Sequence, residues 1–212
     1  MRFRPAPDNE IPVSVPLDRV LNRTDALVLW LSDLHVYSTG FEFTVHARRR
    51  SADVMLDVYG FGKPSPSQAS APLLIGLGYA DGTYSSNLPG SDNAGGLHHR
   101  GSTGGPGSAH VTFFRHPFPP AGPIRVVTAW PYFSVPERIV ELDGHVLGSA
   151  AERVETLWPE PKPTARPQFT GGHTRHPLDL VPGGWFAAHY SPPPPPPENG
   201  RRFVITDHDD AD

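Results

Sequence analysis

"TDALVLWLSDLHVYSTGFEFTVHARR", residues 24–49, holds two apolar runs around a short polar turn. The first run, through Tyr37, is rich in strand formers and too poor in polar residues for a surface helix. The second run alternates. Phe41, Phe43, Val45 and Ala47 fall on one face, and Glu42, Thr44, His46 and Arg48 on the other. That two-residue period belongs to a strand with one side against a core. Ser38-Thr39-Gly40 between the runs completes a hairpin signal. Pairing is then antiparallel, because so short a connection cannot carry a parallel crossover.

The pattern recurs outward along the chain. "PVSVPLDRV" before it suits a short edge strand or an extended lead-in. "LLIGLGYADGTYSSN" puts Leu73, Ile75, Leu77 and Tyr79 on one face, and Asp81-Gly82 offers the residues of a type I′ turn. "AHVTFFRH", "PIRVVTAW" and "RIVEL" read as three more strands. "SADVMLDVYG" (51–60) favours one or two helical turns, with Ser51 as cap and Asp53 near the positive end. Its alternation Val54, Leu56, Val58 leaves a strand open. "DGHVLGSAAERVETLW" (143–158) carries a helical stripe of Val146, Leu147, Ala150, Ala151, Val154 and Leu157, with Asp143 as its cap. A second Asp-Gly hairpin is the alternative there. Residues 88 to 108, with "GSTGGPG" inside, read as a long flexible loop.

About seven short strands, turn signals between them and one late helix point to an all-β, antiparallel, immunoglobulin-like β-sandwich over residues 12–158. Residues 159–212 carry twelve prolines, six of them consecutive at 192–197, and few apolar residues outside "GGWFAAHY". That composition suits a largely irregular, proline-rich tail without its own core.

Bulk properties exclude several functions. The net charge of -4 equals the four aspartates of the final "TDHDDAD", at 207, 209, 210 and 212, so residues 1–206 balance to zero. A neutral body has no electrostatic footprint for nucleic acid or an anionic membrane. No cysteine is present, which removes disulfides, thiolate catalysis and Cys-ligated metal. The longest apolar run, "ALVLWL", is far too short to span a bilayer, and "MRFRPAPDNE" lacks the apolar core of a signal peptide. The expected compartment is the cytoplasm.

The eleven histidines are the chemical lead. His98, His99, His110, His173 and His176 are the metal-ligand candidates, yet none of their spacings makes a site alone. His98 and His99 point apart on an extended chain, and His110 belongs to the strand that follows. Asp33 and His35 share strand parity and offer an acid–base pair. "GLGYADG" lacks the helix that a dinucleotide fingerprint needs, "GSTGGPG" lacks the lysine of a P-loop, and no G-x-S-x-G elbow occurs. Arg48, Arg49 and Arg50 read as a solvated strand end, with an anion contact as the alternative.

The chain over roughly residues 12–158 resembles a family of bacterial proteins from high-GC genomes. The resemblance rests on "YSTGFEF", "YADG" and the W-P…P-E…V-E-L-D pattern from Trp130 to Asp143. That family carries no assigned activity, so the resemblance supplies no catalytic residue. It implies that residues 96–108 and the tail after 159 are where such chains differ in length.

The expected role is a non-enzymatic binding or scaffolding module, without a cofactor, working through protein contacts. Trp185, Phe186 and Tyr190 are the expected anchors, and "SPPPPPP" suits aromatic-lined grooves. In the competing cis arrangement, these aromatics cover the body of their own chain. A histidine-dependent metal binder is one alternative function. A small-ligand or glycan-binding sandwich, with Trp30, Tyr37 or Trp130 as aromatic platform, is another.

Overall fold

The structure, a computed structural model, describes residues 6–58, 72–88, 96–159 and 180–190. Thirteen strands occur among them. They are β1 (Glu10–Ile11), β2 (Val13–Val15), β3 (Arg19–Arg23), β4 (Leu27–Val36), β5 (Phe41–Arg49), β6 (Met55–Leu56), β7 (Leu74–Gly78), β8 (Tyr84–Ser86), β9 (Leu97–Pro106), β10 (Ser108–Arg115), β11 (Pro123–Trp130), β12 (Val135–Asp143) and β13 (Glu155–Thr156). Two helices, α1 (His145–Ala151) and α2 (Trp185–His189), follow late in the chain. Every pairing is antiparallel. The chain is therefore all-β and antiparallel, as the alternation of residues 41–47 requires.

A seven-stranded sheet runs β2-β4-β5-β10-β9-β6, with β3 also on β4. A four-stranded sheet runs β12-β11-β7-β8. One core joins them. Leu29, Leu31, Phe43 and Val45 from the first sheet share a buried cluster with Ile75, Leu77, Ile124 and Val126 from the second. The strand β5 buries and exposes alternate residues from Phe41 to Ala47.

Four local expectations are corrected. Residues 97–106 are a strand and not a flexible loop, because β10 supplies a ladder, broken by one bulge, for a Gly/Ser-rich partner and the chain turns back at Gly107 (φ 69°). Residues 51–58 form no helix; Met55 and Leu56 join the edge of the large sheet beside β9. The helical stripe stops at Ala151, since Glu155 and Thr156 extend to pair with β1. Asp143 does meet that helix, accepting the backbone N–H of His145 at 2.9 Å, although Gly144 is the cap residue. At Asp81-Gly82 only Gly82 takes positive φ (83°). The Gly82 N–H donates to the Tyr79 carbonyl and the Tyr79 N–H to that of Thr83. This is a three-residue loop, not the two-residue I′ turn.

The helix expected in the last third is joined by a second one in the tail. α2 lies on the outer face of the four-stranded sheet. Phe186, 1% exposed, packs with Leu74, Leu88, Val127 and Ala129. The Trp185 ring lies so close to Gly76 that a Cβ there would approach it to 2.4 Å. Glu137 on β12 accepts the N–H groups of Trp185 (2.6 Å) and Phe186 (3.3 Å), which satisfies two of the helix's unpaired donors. The six consecutive prolines lie outside the described residues. Among the described residues no helix is long and apolar enough to cross a membrane.

Candidate functional site

The outer face of the large sheet carries polar and aromatic side chains in rows across its strands. Register places Trp30, His46, His110 and Thr103 side by side on β4, β5, β10 and β9. The rings of Trp30 and His46 stack at 4.9 Å with 12° between planes, and His46 and His110 lie 5.7 Å apart. The next row is Ser32, Thr44, Thr112 and Gly101. There Thr44 and Thr112 hydrogen-bond at 2.9 Å, and Ser32 Oγ sits 2.7 Å from His46 Nε2. On the other side, Val28, Arg48, Ser108 and Gly105 form the third row.

Glycine shapes this surface. β9 turns Gly101, Thr103 and Gly105 outward, by the same alternation that faces His110 outward on its neighbour. A Cβ on Gly101 would find nothing within 4 Å, and one on Gly105 nothing closer than 3.8 Å. Beside Gly105 the populated face leaves an open depression of ≈ 230 Å³. Trp30, His46, Arg48, Thr103, Ser108 and His110 line it. Gly104 faces the other way, where a Cβ would meet the Leu56 carbonyl oxygen at 2.4 Å. The strand β6 can approach only because that side chain is absent.

Burial lowers the basicity of His46, and neighbouring His110 lowers it further; Asp33 and Asp18 act in the opposite sense. The row therefore presents hydrogen-bonding imidazole and hydroxyl groups against an aromatic wall. Farther along, Glu42 receives Arg100 Nε at 3.2 Å and lies 3.7 Å from His35 Nδ1.

No family model, curated protein or solved structure matches this chain.

The histidines singled out by sequence do not gather. His98 sits opposite Phe114, while His99 turns its ring to Phe113 at 6.1 Å, so the two point apart as alternation demands. His110 meets His46 instead of either. His173 and His176 lie outside the described residues. Among the described residues no three His, Cys, Asp or Glu side chains are placed to hold a metal ion. Asp33 sits in a bulge between Ser32 and Leu34, at φ 43°. His35 lies 3.7 Å from Glu42, and among the described residues it makes no ion pair with Asp33.

A second depression, of ≈ 400 Å³, brings together Asp143, His145 and Ser149. It is no catalytic triad: Asp143 accepts the backbone N–H of His145, and among the described residues it makes no ion pair with the His145 imidazole. Of the three aromatic-platform candidates, Trp130 is fully buried. Tyr37 packs edge-on against Phe114. Trp30 stays half-exposed at the depression. The pairing of His46 with His110 escaped sequence reading. Alternation puts each residue on a polar face, but which strands are neighbours is a long-range property.

Proposed function

We propose that this chain is a non-enzymatic binding module of immunoglobulin-like architecture that takes a small ligand on the outer face of its large sheet. Strand order supports the architecture. Counted from β4, the order β4-β5-β10-β9 corresponds to A-B-E-D of an immunoglobulin domain, and β12-β11-β7-β8 to G-F-C-C′. The binding role rests on one observation. The Trp30–His46–His110–Thr103 row borders a depression that Gly105, with no side chain, leaves open on one side. Such a place combines an aromatic wall with a few convergent polar groups, the usual composition of a small-molecule site.

A glycan platform is less well supported. Sugar rings lie on a broad exposed aromatic face, whereas Trp30 has one face against His46. The test is a fragment screen of the full chain by ¹H–¹⁵N NMR. Ligands are expected to shift the amides of residues 46–48 and 103–110 together, and Trp30→Ala should abolish those shifts. Hits confined to other surfaces, or indifferent to Trp30→Ala, would refute the reading.

Protein contacts through the tail form a second reading. Phe186 is committed within the chain, but Trp185 and Tyr190 keep exposed surface near Val181, which is 50% exposed. If that reading holds, Trp185→Ala and Tyr190→Ala weaken a partner complex while Trp30→Ala does not.

A further inference from the structure

We propose that the depression beside Arg48 binds the oxyanion of its ligand, a carboxylate or phosphate group. The inference rests on the small-ligand reading above and names the chemistry of that ligand.

The lining is one-sided. Arg48, His46, His110, Thr103 and Ser108 bring a guanidinium, two imidazoles and two hydroxyls to one place, and the lining includes no carboxylate. The three consecutive arginines at 48–50 are not equivalent. Arg49 is held by Asp53 at 3.2 Å and lies over the Phe133 ring at 5.5 Å. Arg100, on the same sheet face, is held by Glu42. Among the described residues no carboxylate pairs with Arg48. Strand alternation turns Arg48 to the same side as His46, so the permanent charge stands at the mouth of the depression.

Guanidinium is the side chain best matched to an oxyanion, because its planar N–H groups can grip two oxygens at once. Hydroxyls from Ser108 and Thr103 add rotatable donors. A neutral imidazole still carries one N–H donor, so His46 and His110 can each offer one without a charge. Acidic groups do reach His46, since Asp33 and Asp18 both raise its basicity, but neither lines the depression. The depression suits one phosphate or carboxylate on a compact body, with Trp30 forming the apolar wall.

The experiment titrates the untagged full chain with sodium phosphate, sodium acetate and sodium chloride at constant ionic strength, followed by NMR. Saturable shifts are expected at residues 46–48 and 103–110 with phosphate, acetate or both, and none with chloride. Comparing the phosphate and acetate arms identifies the group. Arg48→Ala should weaken binding about tenfold or more, as loss of a charge-assisted contact predicts. Arg48→Lys should restore part of it. Arg48 is solvent-exposed, so an unchanged unfolding temperature for both variants is expected and confirms that the fold is intact. The inference is overturned if neither anion gives saturable shifts, or if Arg48→Ala leaves affinity unchanged. Neutral fragments that bind the same residues while anions do not would overturn the anion assignment and leave the small-ligand reading standing.

Discussion

At the level of single residues, two glycines of β9, three and six positions before the turn at Gly107, have opposite requirements. Gly104→Ala drives a Cβ toward the Leu56 carbonyl oxygen, which as backbone cannot swing away. The expected cost is about 1–3 kcal/mol in urea unfolding, the range of overpacked sites. Gly101→Ala enters open space and should be neutral or stabilising by up to about 1 kcal/mol, since alanine loses less backbone freedom. Equal effects would mean that β6 does not press on β9. His46 supplies a pH prediction. Its basicity is lowered in the folded chain, so the unfolded chain takes up the proton first as pH falls below the ordinary imidazole range. Stability that is complete at pH 8 is then lost on acidification through that range. His46→Gln should flatten the fall in unfolding temperature between pH 8 and pH 5; an unchanged slope would refute the shift. Glycine content was legible in "GSTGGPG", but its meaning was not. The same composition serves a flexible linker and a strand whose neighbours demand missing side chains.

At the level of elements, legibility followed the range of the controlling interaction. The β4–β5 hairpin could be read because its alternation and its turn are both local. The bulge at Asp33 could not, since the register shift arises between strands. The stripe from Val146 to Leu157 was a sound local helix signal, and it was cut short when Glu155 and Thr156 found β1. α2 shows the same dependence. A five-residue helix is too short to persist alone, so packing must hold it. It sits where Gly76 and Gly78 leave a flat strip for the Trp185 ring. Gly76→Ala should expel that ring, and Phe186→Ala should remove the buried anchor. Each is expected to release the same segment, so the double variant should be no worse than the worse single one. Hydrogen exchange at the Trp185 amide, which donates to Glu137, reads the release directly. Additive effects would indicate that the two contacts stabilise different things.

At the level of the whole molecule, the question is whether the two sheets form one cooperative unit. Their inner faces contribute to a single buried cluster, with Phe43 among Phe41, Phe113 and the apolar residues of β7 and β11. Composition and alternation predicted such a core, although no local pattern indicated which strands would share each sheet. Phe43 is 1% exposed, and truncating a buried phenylalanine costs about 3–5 kcal/mol. Against a total of about 5–15 kcal/mol for a domain, that is a large share. If the core is common, Phe43→Ala on β5 must lower protection of β11 amides as much as that of β5 amides, despite their lying in different sheets. The α2 amides should open at lower free energy and respond far less, because the segment leaves the surface without unfolding the core. Native-state hydrogen exchange on the wild type and Phe43→Ala separates the cases. Loss of protection confined to the large sheet would show two independent sheets. Equal loss across β5, β11 and α2 would show that the docked tail segment is part of the folding unit.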